Sequence, residues 1–172
     1  MGRKSTREDK NIYQLAREDA GLTRAAASEI MDFVTESRIE KIESNHMNPS
    51  PEDVLAMSIA YKKPGLCKSY CAKHCRIGQE FVPEVEFKSL SQISLEVLAS
   101  LNTLQREKER LIEITVDGEI SDDELEDFFR IRQELAEIGA TVDALQLWIQ
   151  NMLVKGKINK EKLKEIENRK RK

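Results

Sequence analysis

The sequence predicts an all-α fold: an N-terminal bundle of four to five short helices, followed by an antiparallel helical hairpin. Three observations predict it. Only 7 Gly and 4 Pro punctuate 172 residues and 5% are aromatic, which favours helices over a sandwich of short strands. Apolar residues recur at spacings of three and four through most of the chain. Polar residues of the N-capping kind stand just ahead of those runs. With 40% apolar and 34% charged residues, the composition is that of a folded chain with a heavily charged surface, not a disordered one.

The elements follow in order. Residues from about Asp9 to Ala20 read as a first helix, with Ile12, Leu15 and Ala16 on one face and Gly21 placed to end it. Thr23 is an N-cap for a second helix over Arg24–Met31, rich in Ala. Asp32-Phe33-Val34 breaks the pattern, and Thr35 caps a third helix running to about Ser44 with Ile39 and Ile42 inward. Ser50-Pro51-Glu52-Asp53 opens a fourth: Ser50 caps, Pro51 fills the first turn, and the acids meet the positive end of the helix dipole. The expected core is Ile12, Leu15, Leu22, Ile30, Phe33, Ile39, Ile42, Leu55 and Ile59. Four short helices with a tight joint between the second and third make a helix-turn-helix plan. The plan alone gives a bundle, not an activity.

Ala20-Gly21-Leu22-Thr23, Arg38-Ile39-Glu40-Lys41-Ile42-Glu43-Ser44 and Asn48-Pro49-Ser50-Pro51-Glu52-Asp53-Val54-Leu55 resemble the signature of the XRE/Cro, lambda-repressor-like family. The resemblance covers about residues 9–63 and implies duplex-DNA binding, commonly as a dimer, and transcriptional regulation of the bacterial type. The Cys-containing middle and the following helices resemble, more loosely, an extended subgroup of these regulators. Two departures stand out. Met31-Asp32-Phe33-Val34-Thr35 replaces a Gly-containing turn and is one residue longer, and Arg24 stands where the family favours Gln. The longer turn bears on how the third helix meets the groove.

The first residues of a recognition helix reach base edges in the major groove. The outward set on the third helix is Thr35, Glu36, Ser37, Arg38 and Lys41, joined by Glu40 at its margin. Arg38 suits guanine, Glu36 suits cytosine, and Ser37 suits a base or a phosphate. Arg24, at a helix N-terminus, suits a phosphate. The alternative is an ordinary solvated helix face, and the near-neutral charge of residues 1–63 opposes strong non-specific binding.

Two further segments gather ligand-type residues. Cys67, Cys71, His74 and Cys75 share about a 100° arc of a helix. An unbroken helix separates Cys67 from Cys75 by about 12 Å, too far for one ion. The segment therefore reads as a buried face of small side chains, or as a metal or thiol site that needs a kink. No resident metal or cofactor is assigned. Residues Glu113 to Glu124 match the second half of a calcium loop but carry Glu113 and Thr115 where Asp-type ligands are required. A helix-to-helix turn explains them, with Gly118 as the stop and Ser121 with Glu124 as a capping box.

The last third is strongly periodic. Leu90, Ile93, Val97, Leu101, Leu104 and Leu111 mark one helix, and Leu125 through Met152 mark a longer one with Trp148 as a packing anchor. One hairpin alone exposes much apolar surface, so it packs on the N-terminal bundle or on a second chain, and a homodimer through the C-terminal helices is expected. The expected domains are 1–63 (DNA binding), 64–88 (helical connector) and 89–172 (hairpin with basic tail). Residues 91–154 carry a net charge of −9 and residues 155–172 a net charge of +6, complementary surfaces within or between chains. The opening Met1–Thr6 lacks the apolar stretch of a secretory signal, and its Gly2 and Thr6 fit the loose N-myristoylation pattern, which recurs by chance. No apolar run reaches membrane-span length, three cysteines do not make a disulfide framework, and no catalytic constellation emerges. The reading is a cytoplasmic, non-enzymatic DNA-binding regulator. The alternatives are an interaction module that has lost DNA readout, or a metal- or thiol-responsive sensor.

Overall fold

A computed structural model describes residues 10–170, and among these every regular element is a helix. Gly2 and Thr6 of the acylation pattern, and Arg171 and Lys172 of the basic tail, lie outside the described residues. The chain divides into two compact units with boundaries after Glu84 and after Trp148. The second unit is 85–148, and the stretches on either side of it belong to the first. No helix among the described residues is long and apolar enough to cross a membrane.

The first unit begins with α1 (Ile12–Asp19), α2 (Arg24–Met31), α3 (Glu36–Glu43) and α4 (Pro51–Ala60). Each starts where a side chain satisfies an orphan N–H of the first turn. Asn11 accepts from the Gln14 amide at 3.0 Å, Thr23 from Ala26 at 3.1 Å and Thr35 from Arg38 at 3.3 Å. Ser50 and Asp53 form a reciprocal capping box, with Pro51 in the first turn. The ends are local too: Asn45, with φ of 60°, closes α3 in the left-handed conformation that Asn tolerates.

The joint between α2 and α3 is unusual. Asp32 has φ 59° and ψ −59°, and the Phe33 amide donates to the Met31 carbonyl at 2.7 Å. This is the positive-φ γ-turn, a strained geometry for any residue with a Cβ. It stands where the resemblance leads one to expect glycine.

The core differs from the expected one. Tyr13, Ala16, Ala27, Met31, Val34, Ile39, Ile42, Val54, Met57 and Tyr61 are buried, with Leu22 packed at the margin. Ile39 and Ile42 hold their expected places. Ile12, Leu15, Ile30, Phe33, Leu55 and Ile59 do not: all six are exposed. The helices approach through small side chains instead, with Ala27 at 0% exposure, and α1 turns Tyr13, Gln14, Ala16 and Arg17 inward.

The same unit continues with α5 (Gly65–Lys73) and α6 (Arg76–Phe81). Leu66 enters the core, and Cys67 and Tyr70 pack against it. A Cβ built on Gly78 of α6 would lie 1.9 Å from the Cys71 carbonyl oxygen, so these two backbones touch. The second unit holds α7 (Leu90–Thr115) and most of α8 (Leu125–Val154), while α9 (Lys160–Lys170) belongs to the first. Ser89 and Gln92 form a capping box at the start of α7. Gly118, at φ 77°, reverses the chain, and Glu124 accepts from the Ser121 amide at 3.0 Å ahead of α8. Arg110 pairs with Asp127 at 2.6 Å and Arg130 with Glu107 at 3.0 Å, so α7 and α8 run antiparallel as expected. That register places Ile93 level with Ala144, and both are buried.

Candidate nucleic-acid interface

The helix-turn-helix pair is held by carboxylates inside the bundle. Glu43, on the last turn of α3, is buried on the face it shares with Ile39 and Ile42. Arg17 of α1 donates Nε to its Oε1 at 2.6 Å and Nη2 to its Oε2 at 2.9 Å, and gives Nη1 to the Leu22 carbonyl at 2.7 Å. Arg24 of α2 donates Nε to Glu43 Oε2 at 2.8 Å. One carboxylate thus ties α1, α2 and α3 together with charge-assisted bonds. The hydrogen bonds that Arg17 donates to Glu43 raise the Arg17 pKa above its ordinary value, against the effect of burial.

A second pair fixes the other side of α3. Arg38 donates Nε and Nη2 to the two oxygens of Asp53 on α4, both at 2.7 Å. The Asp53 carboxylate also accepts from the Ser50 amide at 2.7 Å. Burial works to raise the Asp53 pKa, but the bonds from Arg38 and Ser50 outweigh it and hold the carboxyl below its usual range. Asp53 is buried, whereas the Arg38 side chain keeps 37% exposure.

The six residues read from sequence therefore separate. Thr35, Glu36, Ser37 and Lys41 are exposed along α3 and its cap, with Glu40 beside them. Lys41 makes no ion pair among the described residues. Arg24 and Arg38 are half-buried and engaged with Glu43 and Asp53, so neither is a purely outward cation. The sequence reading missed Arg17 and Asp53. Glu43 carried a signal, since a charge at i+4 from Ile39 and i+1 from Ile42 falls on the buried stripe and needs a partner.

Cys67, Cys71 and Cys75 are half-buried free thiols, and His74 stacks on Tyr70 with ring centroids 5.9 Å apart. Among the described residues no group of three or more His, Cys, Asp or Glu is placed to hold a metal ion.

Comparison with known proteins gives one family, Helix-turn-helix, matching residues 14–65. No curated protein and no solved structure matches. The matched segment runs from α1 into the first turn of α5 and contains all of α2, α3 and their joint. Residues 14–65 match the lambda-repressor-like type of helix-turn-helix domain, a DNA-binding family.

Proposed function

We propose that this protein is a cytoplasmic, non-enzymatic transcriptional regulator that binds specific duplex-DNA sites as a dimer. The observation that carries the reading is the α3 surface. A family-matched second helix of the motif offers Thr35, Glu36, Ser37 and Lys41 to solvent and is braced from behind by Glu43 and Asp53. Preorganised side chains on a rigid helix read base edges with little ordering cost. Ser37 and Glu36 contact bases, and Lys41 contacts phosphate. Arg38 spends Nε and Nη2 on Asp53, which leaves Nη1 for guanine or phosphate, and Arg24, with Nε on Glu43 and Nη1 3.6 Å from Glu40, offers Nη2 to phosphate.

The test is a gel shift on genomic fragments across salt concentrations. Binding is expected to weaken as salt rises. Lys41→Glu is expected to weaken it several-fold and flatten the salt slope by about one ion, with an unchanged melting temperature. Fragments bound equally by parent and variant would remove α3 as the reading helix. A second reading, an interaction module without DNA readout, is favoured by the engagement of both arginines with internal acids. Absence of duplex binding even at low salt is the result that selects it.

A further inference from the structure

Four of the six residues displaced from the expected core gather in one place. Ile30, Phe33, Leu55 and Ile59 line an open groove of about 400 Å³ between α2 and α4, with Glu52 on its wall. Phe33 is 61% exposed and Ile59 69% exposed, unusual for side chains of that size grouped in one place. The two stretches that line the groove, 30–33 and 52–60, contain Asp32, Glu52 and Asp53 and no Lys or Arg. Asp53 is spent on Arg38, and the other two acids are exposed. The groove is apolar inside and acidic around.

A complementary surface exists on the same chain. In α9, Leu163 and Ile166 stand three apart and so share a face. At 100° per residue, Lys162 and Arg169 flank one side of that face and Lys160 and Glu167 the other, while Glu161 and Glu165 fall on the opposite side. The helix is a narrow apolar stripe with a mostly cationic border. Its 11 residues span about 16 Å, the same length as the wall offered by the 10 residues of α4 at about 15 Å. Within one chain the groove side chains are exposed, Ile166 keeps 46% exposure and Leu163 is half-buried.

We propose that the groove between α2 and α4 receives α9 of a second copy of this chain. Leu163 and Ile166 cover Phe33, Leu55 and Ile59, and the flanking cations face the acids around the groove. This is helix-in-groove recognition with charge fixing the orientation. Groove against groove, the other pairing of two copies, sets Asp32 and Glu52 against their own counterparts and is opposed by like charge. Exchange of α9 between two chains is reciprocal, so each dimer makes the contact twice. The contact uses neither the exposed face of α3 nor DNA, and stands or falls apart from the DNA-binding reading.

The test uses full-length protein without DNA. Chains carrying Ile166→benzoylphenylalanine, a photoreactive residue, are prepared in ¹⁴N and ¹⁵N form, mixed and irradiated. Cross-linked peptides are then identified by mass spectrometry. The expected result is mixed-isotope links from position 166 to residues 25–37 or 51–60. These links are expected to be lost in Leu55→Glu/Ile59→Glu and in Asp32→Lys/Glu52→Lys, and kept in Lys41→Glu. All four groove positions are exposed, so unchanged circular dichroism is expected, and the second pair reverses charge without touching apolar packing. Links confined to single-isotope chains would assign the groove to the chain's own α9 and overturn the proposal. Links to other surfaces, or none, would overturn it as well.

Discussion

Glu43 shows how one side chain sets the geometry of the whole motif. It is a buried carboxylate that receives Arg17 and Arg24 from two other helices. Its removal leaves the Arg17 guanidinium, only 9% exposed, without its counter-charge. Glu43→Ala is therefore expected to destabilise the bundle by about 3–5 kcal/mol, read from urea unfolding. A loss under 1 kcal/mol would mean that Arg17 finds another acceptor. Asp53 makes a pH prediction. Its carboxyl is lowered in the folded state, so unfolded chains bind the extra proton, and stability rises with pH between the two pKa values. The contribution is complete above the unfolded pKa of about 3.9 and is lost as pH falls through the native value. Asp53→Asn is expected to cost about 1–2 kcal/mol at pH 7, the low end because Arg38 is partly solvated. The difference from the parent is expected to shrink below about pH 4, and a constant difference down to pH 2 would exclude Asp53 as the titrating group. Neither pair was legible as a pair. Arg38 and Asp53 are fifteen residues apart on different helices, and a charged residue on a short helix reads as solvent-facing unless its partner is known.

At the scale of elements, starts were legible and faces were not. Thr23, Thr35 and Ser50 announce their helices because a cap bonds only three residues ahead, which sequence spacing shows directly. Faces fail where helices are short. With 8 residues, α1 makes barely two turns, and the choice between Ile12/Leu15 and Tyr13/Ala16 is one residue of rotation. The choice went to the face that lets Arg17 reach Glu43 and lets small residues bring backbones close. On α2, Ala27 and Met31 point inward and Ile30 does not, for the same reason. The junction of α5 and α6 carries the next prediction. Gly78 lies against the Cys71 carbonyl, where an added methyl meets backbone rather than a flexible side chain. Gly78→Ala must part the two helices, at a cost expected to be about 1–3 kcal/mol. Cys71→Ala alters only a half-buried side chain and is expected to cost less than Gly78→Ala in the same thermal melts. Equal effects would show that the thiol, not the backbone approach, holds the junction.

For the whole molecule, the question is what the hairpin does for a DNA-binding bundle. Residues 1–63 carry 10 basic and 11 acidic residues, so a single copy has weak electrostatic hold on a duplex. Two recognition helices about 34 Å apart, one DNA turn, recover affinity by doubling the contacts. The hairpin supplies a surface for that. Ile93, Ile114 and Ile131 are buried, yet Leu95, Leu98, Leu101 and Phe129 remain more than half exposed on the same two helices. Apolar side chains on both helices beyond those the hairpin itself hides are the arrangement of half a four-helix bundle. The protein is therefore expected to scatter light as a dimer, twice the 19.8 kDa chain mass. Leu98→Glu/Phe129→Glu is expected to weaken that dimer, so that the chain mass appears at protein concentrations where the parent is still dimeric, with helix content intact, because both positions are exposed within one chain. DNA affinity is expected to fall at least tenfold in the same variant, although no residue of the bundle has changed. A parent that remains at one chain mass at high concentration would assign these leucines to a different partner. A dimeric variant with unchanged mass would move the interface off the hairpin and leave the α2/α4 groove as the surface that joins the copies.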